Sequence, residues 1–202
     1  MSDEWKDPEH ALAYLRRADG IPHRAAGEET LLAEVPGDAR RVLDLGCGDG
    51  RLLALVMLKC RHAEGVGVDF SPVMLARAGE RFRDDSRVRV REHDLARPLP
   101  DWGKFDVVCS SFAIHHLPHE RKRELYREVY DALNAMGVFC NLEEVFRWRE
   151  ARSPCVLQPL HKRSELLSAV TRAAWRKRSW RFLNSAARRA ASASRSSSFS
   201  AE

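Results

Sequence analysis

Five short apolar runs punctuate the middle of the chain, at residues 42–45, 66–69, 88–92, 105–110 and 137–142. Runs of this length, rich in valine and broken by turn residues, predict strands. Three of the four gaps between them have helical spacing. Residues 52–59 are apolar enough for a helix buried against a sheet. Ser71-Pro72 starts the next helix well, with serine capping and proline in the first turn, and it runs to about residue 82. After Pro118, Leu125, Val129 and Leu133 recur at i, i+4 and i+8 and line one face of a third helix. Its Glu, Arg and Lys residues read as a solvated face. Strands alternating with helices in this way predict an α/β domain around a mostly parallel sheet.

The flanks read differently. At the start, residues 7–17 predict a helix with Pro8 in the first turn and Ala11, Leu12 and Leu15 on one face. A second short helix is expected over 27–35. Residues 98–103 carry two prolines and a glycine and predict a surface loop, and 84–86 a turn. Beyond 146, only residues 166–175 offer a helical face, from Leu166, Leu167, Val170 and Ala174. From Ala186 onward the sequence is almost entirely Ala, Arg and Ser, a composition that predicts disorder.

Charge sharpens that division. The net charge of +5 over 202 residues averages −5 for residues 1–145 and +10 for 146–202. The basic half therefore raises nucleic acid as a partner. No apolar stretch approaches 18 residues, so no membrane span is expected. The start is acidic without a secretory apolar region. Five cysteines (47, 60, 109, 140 and 155) without Cys-x-x-Cys spacing read as reduced thiols in a cytoplasmic protein, and no metal site is expected.

Chemistry gathers at the ends of the apolar runs. Asp44-Leu45-Gly46-Cys47-Gly48-Asp49-Gly50 joins the first strand to a helix through alternate glycines. Such a turn lets the backbone bend sharply and lets a ligand approach it, while the helix start offers unpaired N–H groups. Asp69, at the tip of the second strand, is placed to accept the two hydroxyls of a ribose. Asp94-Leu95 follows the third strand, and Ser110 and Ser111 end the fourth. His115 and His116 follow where the mouth of a doubly wound sheet opens.

Taken together, these pieces resemble a class I S-adenosylmethionine-dependent methyltransferase of the small-molecule kind, over residues 14–145. The resemblance implies a Rossmann-like, doubly wound and mostly parallel sheet. It implies three parts: a helical lid over 1–36, a cofactor domain over 37–145, and a basic tail over 146–202. It also implies a cradle for S-adenosylmethionine. In it Asp44, Gly46, Cys47 and Gly48 line the methionine portion, Asp69 takes the ribose, and Phe70 lies beside the adenine. Asp94 accepts from the adenine amino group near the Leu95 backbone, and Ser110 and Ser111 meet the methionine end. Tyr14, His23 and Arg24 of the lid face the ligands, with Arg24 toward the methionine carboxylate. The competing reading of Asp44 and Asp94 is that they only cap turns, and Asp49 reads as a helix cap. One of the two histidines, His115 by expectation, and one of Glu143 and Glu144 enter the site.

The sequence departs from that family twice. The turn before the fifth strand is Ala135-Met136-Gly137 rather than Pro-Gly-Gly, and the two antiparallel strands that close the sheet are missing or replaced in 146–202. The rivals to a small-molecule methyltransferase are therefore a truncated or frame-shifted remnant that only binds the cofactor, and an RNA methyltransferase gripping with its tail. A nicotinamide oxidoreductase fits less well, because Arg51 follows Gly50 and no Gly-x-Gly-x-x-Gly spacing is present.

Overall fold

A computed structural model describes residues 3–18, 20–21, 24–143 and 173–176. Six strands form one sheet in the order β3-β2-β1-β4-β5-β6: β1 Arg41–Leu45, β2 Glu64–Asp69, β3 Val88–Glu92, β4 Phe105–Ser111, β5 Leu133–Leu142 and β6 Ala173–Arg176. The first five are parallel, and β6 pairs antiparallel with residues 138–141 of β5. Helices α1 Pro8–Ala18, α2 Arg24–Glu34, α3 Arg51–Lys59, α4 Pro72–Arg81 and α5 His119–Ala132 complete the fold. The expected Rossmann-like doubly wound sheet is present, and β6 supplies one antiparallel strand from the segment in which the closing strands were expected to be missing or replaced.

Alternation along the strands sends side chains to both faces, and both are covered. Val42, Val107, Cys109, Val138 and Cys140 pack with Leu31 and Val35 and with Leu52, Leu53, Val56 and Met57 of α3. Leu43, Leu45, Val108 and Phe139 pack on the opposite face with Leu125 and Val129 of α5. The strand order reverses between β1 and β4, so their carboxyl ends leave a crevice, the usual ligand position in such sheets.

Three boundaries differ from the sequence reading. Helix α2 begins at Arg24, one turn before the expected start, which brings Arg24 and Glu28 onto one helical edge. Helix α5 stops at Ala132, and Leu133 already pairs with Phe105 as a strand residue. Between there and the pairing of Val138 with Val107 the register shifts, and Asn134 donates to Asp106 at 2.6 Å. Residues 134–137 therefore bulge where a free turn was expected. The helix expected over 166–175 is not formed at Ala173–Trp175, which lie in β6; the rest of it, and the other residues of the tail except Arg176, lie outside the described residues. Strand pairing with β5 decides the conformation there, a contact that local periodicity cannot see.

Candidate functional site

At the carboxyl ends of β1, β2 and β4 lies a cavity of about 790 Å³. Its floor is the glycine turn. Gly46 and Gly48 have φ of +69° and +55°, a region that side chains with a Cβ rarely adopt. They serve different ends. A Cβ on Gly46 would lie 2.3 Å from that of Ala113, so this glycine permits contact with the loop after β4. A Cβ on Gly48 would meet nothing within 4 Å and would stand in open cavity. The turn is held by its neighbours: Cys47 donates its N–H to the Val68 carbonyl at 2.9 Å, and Gly48 donates to Asp69 Oδ2 at 2.9 Å. Asp69 Oδ1 also accepts from the Ser71 N–H, at 2.9 Å. Burial raises the Asp69 pKa, and these backbone donors oppose the shift. Asp69 thus ties the first strand's turn to the second strand's tip.

Asp44 stands on the cavity wall without a hydrogen-bond partner, as does the Ser111 hydroxyl. Asp44 is 1% exposed, yet neither carboxyl oxygen reaches hydrogen-bonding geometry with a protein donor. Burial, with Asp69 as a second cause, pushes its pKa up to about 7; the Cys109 thiol and the Leu53 N–H lie close enough to oppose this. A buried carboxylate on a cavity wall without a partner is costly unless a ligand completes it. It does not cap a turn. Asp94 does: its Oδ1 accepts from Ala96 N–H at 2.9 Å.

Helix α2 brings a cation to the cavity. Arg24 is 8% exposed; its Nε donates to Glu28 Oε1 at 2.9 Å, and its guanidinium lies 5.6 Å from the centre of the Phe112 ring. Tyr14 OH accepts from Arg24 Nη1 at 3.4 Å. Glu28, buried to 3%, also accepts from Arg51 Nε at 3.0 Å, joining α2 to the helix that follows the glycine turn. Phe112 itself holds φ +54°, an uncommon conformation for an aromatic residue, pinned by its N–H to the Leu142 carbonyl at 2.8 Å.

Of the residues expected in the site, Arg24, Asp44, Gly46, Cys47, Gly48, Asp69, Phe70, Ser111 and Tyr14 line this cavity. Ser110 does not; it is fully buried and its hydroxyl donates to the Leu45 carbonyl at 2.7 Å. Asp94 and Leu95 also lie off the wall, although Leu95 reaches to 3.8 Å of the Gly46 Cβ position. His116 is the histidine on the wall, whereas His115 turns aside to Glu143, with Nδ1 and Oε2 2.6 Å apart. Burial, and then His115, pull the His116 pKa down to about 4, so it is a neutral acceptor at pH 7. Asp49 accepts from the Arg51 N–H at the start of α3 and pairs with Arg81 at 2.5 Å. His23 and Glu144 lie outside the described residues. Sequence reasoning had no view of Trp5, Glu28 or Phe112. Only the i, i+4 spacing of Arg24 and Glu28 signalled the pair, once α2 is given its true start.

Residues 42–137 match the model of the family described as "Methyltransferase domain". That segment is a class I S-adenosylmethionine-dependent methyltransferase domain. Among curated proteins, the chain is 33% identical over 142 residues to aclacinomycin 10-hydroxylase RdmB of Streptomyces purpurascens, covering 66% of this chain and 36% of that protein. It is 36% identical over 128 residues to trans-aconitate 2-methyltransferase of Variovorax paradoxus, covering 62% and 46%. The chain thus spans less than half the length of these relatives. Among solved structures, the plantazolicin methyltransferase BpumL in complex with SAH superposes with a TM-score of 0.58 over 70% of this chain and 56% of that one, at 14% identity, a likeness of fold.

S-adenosylmethionine is the cofactor of this domain class, and the residues present fit it. The unpartnered Asp44 carboxylate suits an ammonium group, the open space at Gly48 admits a ligand against the backbone, and Asp69 is set at the tip of β2.

Proposed function

We propose that the protein transfers the methyl group of S-adenosylmethionine to a small-molecule acceptor, in a reducing cytoplasm where its buried cysteines stay thiols. The observation that carries this is the unpaired buried carboxylate of Asp44 in the same cavity as the buried guanidinium of Arg24. Opposite charges on one cavity suit the two ends of an α-amino acid, which the methionine portion carries. When bound, the cofactor supplies a methyl group on a sulfonium, an electrophile that needs no protein nucleophile.

The chain's own part is binding, orientation and exclusion of water. Asp44 holds the amino group and Arg24, steadied by Glu28 and Tyr14, the carboxylate. Asp69 accepts from the ribose hydroxyls with lone pairs left by Gly48 and Ser71. Phe70 lies against the adenine, and Asp94, beside the cavity wall with only Oδ1 engaged by Ala96, accepts from the adenine amino group with its second carboxyl oxygen. Trp5, Phe112 and His116 line the wall left for the acceptor. His116, neutral at pH 7, accepts a hydrogen bond from a protonated acceptor and so orients it; a group titrating near 4 is a weak base. His115 with Glu143 stands behind it, the two imidazole rings 4.0 Å apart. The small-molecule reading draws support from the relatives' names, one of which acts on trans-aconitate.

Calorimetric titration of S-adenosylhomocysteine into the full chain and into Asp69→Ala tests the reading. Micromolar binding that the variant loses is expected. A chain that unfolds cooperatively and binds nothing refutes it.

A further inference from the structure

Helix α5 carries a charged pair that a solvated face does not need. Arg121 is only 8% exposed, against the expectation for that face. Its Nη1 and Nη2 each donate to Glu128 at 2.7 Å, Nε donates to the Leu95 carbonyl at 2.8 Å, and Nη2 donates to the Arg97 carbonyl at 2.7 Å. Glu128 Oε2 in turn accepts from the Leu99 N–H at 3.0 Å. One ion pair therefore grips three backbone groups of the loop that follows β3, at alternate residues 95, 97 and 99.

That loop adjoins the cofactor cradle at two points. His93 donates its N–H to the Asp69 carbonyl at 2.8 Å, and the Leu95 side chain lies against the position of Gly46. Between them stands Asp94, whose Oδ1 accepts from the Ala96 N–H and whose carbonyl accepts from the Arg97 N–H, both within its own turn. A loop of this length, with proline at 98 and 100, forms no ladder of its own, so its backbone needs partners from elsewhere. Arg121 and Glu128 supply them from a helix on the far side of the loop.

The structure assigns to Arg121 and Glu128 the role of positioning residues that set the Asp94 carboxylate for the adenine amino group, an assignment that rests on the S-adenosylmethionine reading above. They touch no ligand. They act by holding the backbone on either side of Asp94, which fixes the loop beside the cradle.

The experiment titrates two ligands into the full chain: S-adenosylhomocysteine, and S-inosylhomocysteine, in which a carbonyl replaces the amino group. Wild type prefers the adenine ligand. In Arg121→Met and Glu128→Gln that preference narrows by about tenfold, the worth of one hydrogen bond to a charged group, because only the adenine ligand weakens. Equal weakening of both ligands, or no change in either, overturns the assignment, since a brace for the fold alone cannot distinguish the bases. Should Arg121→Met fail to fold with Glu128 left unpaired, the double substitution R121M/E128M removes both charges and is read in the same way. A folded wild type that binds neither ligand refutes the cofactor reading itself, and this assignment with it.

Discussion

Enclosed by Leu53, Cys109 and the second acid Asp69 and without a partner, the Asp44 carboxyl retains its proton below about pH 7 in the free protein. Its pKa, about 7 against an ordinary 3.8, is raised in the folded state. The native state therefore binds more protons than the unfolded chain between these values, and its stability falls as pH rises from about 4 to 7. A cationic amino group reverses the preference and favours the carboxylate. Binding of S-adenosylhomocysteine at pH 6 should then release close to one proton, and at pH 8 almost none. Titrations in buffers of different ionisation enthalpy measure this directly; Asp44→Asn should abolish the release and weaken binding. Much of this scale was legible in the sequence. Asp44, Gly46, Gly48, Asp69 and Phe70 stand on the cavity because strand ends and tight turns are local chemistry. The choice between His115 and His116 was not legible. One turn of 3₁₀ helix over Ile114–His116 decides which of two adjacent rings faces inward, and composition carries no trace of it.

Elements meet through charge at α2 and α3. Glu28 receives Arg24 from its own helix and Arg51 from the first residue of α3, so one buried carboxylate couples α2 to the helix that follows the glycine turn. Removing that acceptor leaves a buried guanidinium without its counter-ion. Glu28→Gln should cost about 2–4 kcal/mol, toward the lower end because Arg51 is partly exposed. A urea midpoint measures the loss, and faster amide exchange in α2 than in β1 would locate it. The element order was readable from alternating short and long apolar periods, yet the boundaries that bear on the site were not. The start of α2 depends on Arg24 finding Glu28 and Phe112. The end of α5 depends on Leu133 finding Phe105, although its spacing suits a helix equally well.

Charge divides the whole molecule: residues 1–145 carry a net −5 and residues 146–202 a net +10, and Ala173–Arg176 of the basic segment pair with β5. None of the described helices is long and apolar enough to cross a membrane. If the domain holds the cofactor as a unit, ligand and fold are linked. At a hundred times its dissociation constant, S-adenosylhomocysteine should add about 2.7 kcal/mol of stability. For a chain of this size that is a rise in Tm of about 5–10 °C, which scanning calorimetry of wild type and Asp69→Ala would show and fail to show respectively. The contact between Gly46 and Ala113 gives this unity a mechanical form. The floor under the cofactor and the loop leading to the acceptor wall meet with no room for a single added methyl group. The two loops therefore share a joint: a bulkier residue in either would push on the other, and the two positions can change size only in concert.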